Sequence, residues 1–122
     1  MMHIHESAED YLEAILRLRE QKGFVRSVDI AAMLGVTKPS VSFAMKRLRE
    51  NSFIIMGEDN LITLTEEGEA IARRVYDRHK TLVTFLTSIG VSEETAREDA
   101  CRIEHDISEE TFEALRRQLN KV

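Results

Sequence analysis

The 122-residue sequence predicts a mainly α-helical protein with one small β-hairpin, and three observations predict it. Apolar residues recur at helical spacing along most of the chain, and most such stretches open on a serine or threonine suited to cap a helix. A single proline leaves those stretches unbroken. One segment has β character: "FIIMGEDNLITLT", two β-prone runs around the turn-rich GEDN.

Taken in order, Ser7 is placed to cap a first helix over about 7–21, with Ala8, Leu12, Ile15 and Leu16 as core positions. "KGFVR" breaks it. Ser27 is placed to cap a short helix, "SVDIAAMLG", that ends at Gly35. Thr37 caps the next, about 38–51, with Pro39 tolerated in its first turn. Val41, Ala44, Met45 and Leu48 give that helix one apolar face. After the hairpin, Thr65 caps a long helix, about 66–89, stopped at Gly90. Its apolar stripe, Ile71, Val75, Leu82 and Leu86, has His79 inside it. Ser92 and Ser108 cap two final helices, "SEETAREDACRIEHDI" and "SEETFEALRRQLNKV". The natural division falls after the hairpin: residues 1–65 as a winged helix-turn-helix and residues 66–122 as a helical domain.

Composition narrows the class. One cysteine excludes an internal disulfide and suits a reducing cytoplasm. No apolar run reaches ~18 residues, so no membrane partner is expected. The opening "MMHIHESAED" is polar and acidic, unlike a signal peptide. A net charge of −5 argues against indiscriminate nucleic-acid binding. Residues 1–65 carry 8 basic and 9 acidic side chains, and residues 66–122 carry 9 and 13. The stretch 38–49, "KPSVSFAMKRLR", holds four basic residues and no acidic one, so the mean hides a local basic patch.

That patch lies on the second helix of the helix-turn-helix. With Val41, Ala44, Met45 and Leu48 buried, the outer side presents Pro39, Ser42, Phe43, Lys46 and Arg47, with Lys38 and Ser40 in the first turn. Lys46 and Arg47 suit phosphates or guanine edges, and Ser42 reaches a base edge or a phosphate. Phe43 is the odd member: either it contacts a thymine methyl or it packs under the wing. Arg26, just before the bracing helix, is a candidate phosphate contact. The expected partner is double-stranded DNA.

A second constellation surrounds "DACRIEHD", residues 99–106, which contains the cysteine. Glu104 and His105 follow Cys101 by three and four, so in a helix the three share a face. Asp10 and Glu13 sit three apart on the first helix, opposite its core face. Each has an ordinary reading. His79 suits a hydrogen-bonded core position, and Cys101 a small buried hydrophobe. Asp10 and Glu13 suit solvated charges near Arg17, with Asp10 also spaced for a capping box with Ser7. Together they offer imidazole, carboxylate and thiolate donors, a set suited to a divalent transition ion such as Fe2+, Mn2+, Co2+ or Zn2+.

The segments "SAEDYLEAI", "VRSVDIAAMLGVTKPSVSFAMKRL", "LTEEGEAIA", "RHKTL" and "DACRIEHDIS" together resemble the diphtheria toxin repressor family of metal-dependent repressors, over about residues 7–121. The similarity is greatest to the two-domain manganese-regulator branch. The resemblance implies an N-terminal winged helix, a C-terminal helical dimerisation domain, and operator binding switched on by divalent metal, Mn2+ or Fe2+, with Co2+ or Zn2+ as in vitro substitutes. It implies Asp10, Glu13, His79, Cys101, Glu104 and His105 as ligands. Asp10 follows the manganese branch, whereas Cys101 follows the iron branch, so the donor set is a hybrid. Val83 and Arg97 stand where the iron branch has ancillary ligands, and the SH3-like third domain of longer members is not expected.

On this reading the ligands are shared between the two domains, and a bound cation pins the first helix to a dimer core. That fixes recognition helices at the spacing of successive major grooves, about 34 Å or a multiple. The amphipathic "FEALRRQL" and "IARRVYDRHKTLVTFL" suit a homodimer. The chief alternative is a winged-helix regulator without metal that senses oxidation through Cys101 or binds a small ligand. A carboxylate–histidine metalloenzyme lacks the second Glu-x-x-His motif it needs. No catalytic residue and no small organic substrate are therefore expected.

Overall fold

The computed structural model describes residues 2–120, with side chains from residue 8 onward. The elements are α1 (Met2–Lys22), α2 (Ser27–Leu34), α3 (Lys38–Glu50), β1 (Ile54–Met56), β2 (Ile62–Leu64), α4 (Glu66–Ser88), α5 (Glu93–Ile103) and α6 (Glu109–Asn120). The mainly helical class with a single hairpin is thus observed. The chain divides into two compact units, one ending at Arg73 and the other starting at Arg74.

In the first unit α1 begins at Met2, well before Ser7. No glycine or proline in "MHIHE" stops the helix from running back, so Ser7 lies within it rather than at its cap. The Ser7 side chain lies outside the described side chains. Leu12, Glu13, Ala14, Ile15 and Leu16 are all buried, so over this stretch α1 has no solvent face. Glu13, expected opposite the core, is 5% exposed.

The bracing helix α2 starts one residue earlier than its serine suggested. Arg26 has extended dihedrals and occupies the cap position, and the Asp29 carboxylate accepts its backbone N–H at 3.0 Å. Ser27 is therefore the first helical residue, not the cap. Gly35 adopts φ 66° and donates its N–H to Ala31 O at 2.9 Å, the left-handed stop that lets α3 turn away. Thr37 caps α3 as expected, its hydroxyl accepting the Ser40 N–H at 3.2 Å. Val41, Met45 and Leu48 are buried beneath it, and Ala44 is half-buried.

The wing is a two-stranded antiparallel hairpin in the register Ile54↔Leu64, Ile55↔Thr63 and Met56↔Ile62. Ile54 and Ile62 face the core. Ile62 N–H also donates to Val25 O at 2.8 Å, fastening the wing to the segment before α2. Thr65 closes the unit. Its hydroxyl accepts the Gly68 N–H at 3.1 Å and donates to Ser52 O at 2.7 Å. A Cβ on Gly68 would stand 2.0 Å from Phe53 O, so the close approach of α4 to the wing requires glycine there. Arg19 of α1 forks onto Glu69 of α4 at 2.8 and 3.1 Å.

In the second unit, Ser92 and Ser108 cap α5 and α6, accepting the N–H groups of Thr95 at 3.3 Å and Thr111 at 3.1 Å. Val75 and Leu82 of α4, Ala96 and Ala100 of α5 and Phe112 of α6 are buried. Helix α5 ends at Ile103, earlier than the expected Ile107. Glu104 N–H still reaches Ala100 O at 3.0 Å, but residues 104–106 then turn. No glycine or proline marks that stop; what receives the freed carbonyls is Arg78, described below.

Candidate metal centre and DNA-reading face

Spacing of four along α5 carries the buried positions Ala96 and Ala100 on to residue 104. That position is an apolar one by pattern, yet it holds a glutamate that is 1% exposed. Among the described residues neither Glu104 carboxylate oxygen has a hydrogen-bond donor in full hydrogen-bond geometry. Two imidazoles face it instead: His79 Nδ1 stands 3.3 Å from Oε2, and His105 Nε2 stands 3.5 Å from Oε1. Cys101 sits one turn back and is exposed, its Sγ 3.9 Å from His79 Nδ1. It is therefore not a buried hydrophobe. One ligand atom each from His79, Cys101 and Glu104 lies within 4.8 Å of the others.

The expected shared face of Cys101, Glu104 and His105 is corrected in detail. Because α5 stops at Ile103, His105 lies in the turn, Glu104 points into the core and Cys101 outward. The turn sets His105 beside the Glu104 carboxylate, while His79 of α4 faces Glu104 and Cys101.

The electrostatics call for a positive charge beside Glu104, which a proton on His79 or a bound ion supplies. A buried carboxylate without donors costs several kcal/mol unless a positive charge compensates it. The Cys101 sulfur and, next, the Glu104 carboxylate hold the His79 imidazole up at about 10, against the opposing effect of burial. The donors themselves fit a divalent ion. Imidazole nitrogen at ~2.1 Å, thiolate sulfur at ~2.3 Å and carboxylate oxygen at ~2.1 Å place ligand atoms about 3–4 Å apart around one centre. Small side-chain movements bring the observed trio to that spacing.

Sequence reasoning missed Arg78, which is 8% exposed. Its Nη1 donates to Glu104 O and to Ile107 O, both at 3.1 Å, and its Nη2 lies 3.3 Å from Glu109 Oε2. The guanidinium also lies over the Phe112 ring, 5.2 Å from its centroid. A signal existed: Arg78 falls three after Val75 and four before Leu82, within the buried side of α4.

On the first unit, Asp10 is half-buried and Glu13 buried on α1. Every candidate on the outer side of α3, namely Lys38, Pro39, Ser40, Ser42, Phe43, Lys46 and Arg47, is exposed. Phe43 does not pack under the wing: it is 63% exposed, with the Arg47 guanidinium 5.7 Å from its ring centroid. Arg26 is exposed beside the wing turn, its Nε donating to Asp59 O at 3.4 Å and its guanidinium 5.4 Å from the Phe24 ring.

Comparison with known proteins bears on both features. Residues 3–60 match the family description "Iron dependent repressor, N-terminal DNA binding domain", and residues 65–122 match "Iron dependent repressor, metal binding and dimerisation domain". The transcriptional regulator MntR of Escherichia coli O6:H1 is 43% identical over 114 residues, covering 93% of this chain and 74% of that protein. The chain belongs to the iron-dependent repressor family. Within this family it falls with the manganese regulators. The structure of the manganese regulator SloR superposes with a TM-score of 0.83 at 28% identity, covering 93% of this chain and 53% of that one. A manganese-dependent transcriptional repressor in complex with manganese gives 0.84 at 27% identity, covering 93% and 52%. This chain thus spans about half the length of those two solved regulators. The exposed face of α3 lies in the half that the family description names DNA-binding, and the His79–Cys101–Glu104 cluster in the half it names metal-binding.

Proposed function

We propose that this protein is a metal-dependent transcriptional repressor that binds double-stranded operator DNA as a homodimer when a divalent ion, Mn2+ or Fe2+, occupies its metal site, and that it thereby regulates metal homeostasis. The observation that carries the reading is Glu104: a fully buried carboxylate with no donor in full hydrogen-bond geometry among the described residues, flanked by two imidazoles and near a thiol. His79, Cys101, Glu104 and His105 hold the ion. Asp10 and Glu13 join them as carboxylate donors from the DNA-reading domain, an assignment that rests on the family resemblance and on the chemistry of carboxylates. The residue set accommodates one or two ions per chain.

A divalent cation supplies positive charge to this acidic cluster in place of the proton that His79 otherwise carries. With that charge in place, Asp10 and Glu13 are drawn toward the ligands of the helical domain, and the recognition helices of a dimer take a fixed spacing. The switch is as large as the difference in ion affinity between the two states. Lys38, Lys46, Arg47 and Arg26 then neutralise phosphates, Ser40 and Ser42 approach phosphates or base edges, and Pro39 and Phe43 offer apolar surface to the groove. The thiolate of Cys101 favours softer ions and the carboxylates harder ones, so the two pull ion preference in opposite directions. The site belongs to a regulator in a reducing cytoplasm, where Cys101 stays available as a ligand.

The deciding experiment is a DNA-binding titration with Mn2+, Fe2+, Co2+ and Zn2+, each with a chelator control. Binding that appears with metal and disappears with chelator supports the reading. Binding indifferent to both overturns it in favour of a metal-independent winged-helix regulator.

A further inference from the structure

We propose that Arg78 is a positioning residue for the metal site: its guanidinium holds the main chain of the turn that carries Glu104 and His105. The inference rests on the metal-binding reading above and goes beyond it, because Arg78 offers no ligand atom itself.

The need for such a residue follows from the way α5 ends. The last carbonyls of a helix have no partner within it, and in a buried setting they must find one. Here the helix ends without a glycine cap, and the two carbonyls flanking the turn, Glu104 O and Ile107 O, converge on one nitrogen, Arg78 Nη1, at 3.1 Å each. The second nitrogen is tied to Glu109 at the start of α6, and the ring of Phe112 lies beneath the guanidinium. One planar group thus spans the end of α5 and the beginning of α6. His105 lies between the two carbonyls it grips, and Glu104 is one of the residues gripped.

Adjacent residues of α4 divide the work. His79 faces the Glu104 side chain, while Arg78 fixes the Glu104 main chain. A lysine in place of Arg78 keeps the charge but loses the fork, so it holds one carbonyl rather than the pair together with Glu109. Residues that orient metal ligands typically change affinity by 10–100-fold when removed.

The test uses the full chain and Co2+, whose d–d absorption reports ligand geometry and whose thiolate charge-transfer band reports Cys101. Arg78→Gln is expected to weaken Co2+ binding about 10–100-fold and to alter the d–d bands. Arg78→Lys is expected to lie between that variant and the natural protein, and it keeps the test open should Arg78→Gln not fold. Folded variants with unchanged Co2+ affinity and an unchanged spectrum overturn the proposal, even if their melting temperature falls, because a purely structural role would give that result. If the natural protein takes up no Co2+ at all, showing neither d–d nor thiolate bands, the metal-binding reading fails and this inference fails with it. Unchanged variants beside a normal natural spectrum sink the positioning role alone.

Discussion

The DNA-reading face takes its candidates from the outer side of α3, with Arg26 alone added from outside, whereas the metal cluster draws His79 from α4, Cys101 from α5 and Glu104 from the turn beyond it. The α3 side chains are exposed and backed by separate buried ones, Val41, Met45 and Leu48. The cluster has no such separation: Glu104 is both a candidate ligand and a core residue. Changes on the reading face should therefore act one contact at a time, and changes in the cluster should act on the whole site.

The largest effect that could break this contrast is Glu104→Gln. The substitution keeps shape and removes charge, so metal affinity should fall on the order of 100-fold and metal-stimulated DNA binding with it. Ion at about 100 times its Kd should add about 2.7 kcal/mol to the stability of the natural protein. It should add only about 0.4 kcal/mol to the variant, for which the same ion concentration equals its Kd. The metal-free melting temperature should also fall, because Glu104 is, after Cys101, a partner that stabilises the protonated His79, and the neutral amide compensates that buried charge less well. Thermal unfolding with and without Mn2+ reads both quantities. A full metal-induced shift in the variant would show that the cluster tolerates piecemeal change, like the reading face.

Next in size is an attack on the reading face from below. Gly68→Ala places a methyl group against Phe53 O, a backbone atom that can move only with the wing. A loss of about 3 kcal/mol or more is expected, beyond ordinary overpacking because the obstacle is main chain. Gly35→Ala is the control. It meets open space and bears only the left-handed dihedral, so about 1 kcal/mol should be lost. Denaturant unfolding ranks the two. Equal losses would mean that the junction between wing and α4 yields more readily than its geometry implies.

These two glycines also mark what the sequence could convey. Gly35 followed an amphipathic stretch and preceded Thr37, so turn and cap were both readable. The hairpin was readable from its β-prone runs, and the exposed side of α3 from the apolar spacing of its other side. The clash that makes Gly68 necessary depends on a residue in the preceding loop, which no local pattern reveals. The stop of α5 at Ile103 was hidden for the same reason: its partner, Arg78, comes from another helix. The donor types of the cluster were legible in "CRIEH" and "RHKTL". The burial of Glu104 was implied by the spacing of Ala96 and Ala100, but Glu104 was assigned to a face shared with Cys101 and His105 instead.

Phe43 offers a sharper and smaller test of the reading face. It is 63% exposed, so Phe43→Ala should leave stability nearly unchanged. If its ring meets a thymine methyl, replacing that thymine by deoxyuridine in a duplex selected by the natural protein should weaken binding about fourfold, the worth of ~0.8 kcal/mol for one buried methyl. The alanine variant should bind the two duplexes alike. A natural protein blind to every thymine-to-deoxyuridine change would remove Phe43 from base reading and leave the face as a set of phosphate contacts.

The smallest expected effect concerns the ion pair that fastens α1 to the start of α4. Arg19, then Arg73, hold the Glu69 carboxyl down from an ordinary 4.5 to about 2. The folded protein therefore binds this proton less tightly than the unfolded chain does. The pair's contribution is complete above pH 4.5 and is lost as pH falls toward about 2. Both side chains are about one-third exposed, so screening reduces the contribution to about 1 kcal/mol. Between pH 5 and pH 2 the natural protein should lose about that much more stability than Glu69→Gln, and 1 M salt should narrow the difference. Urea unfolding across this range supplies the comparison. Parallel profiles would mean that the Arg19–Glu69 pair adds nothing measurable to the apolar packing of Leu12, Ile15 and Leu16, and that charge matters far less at this junction than in the metal cluster.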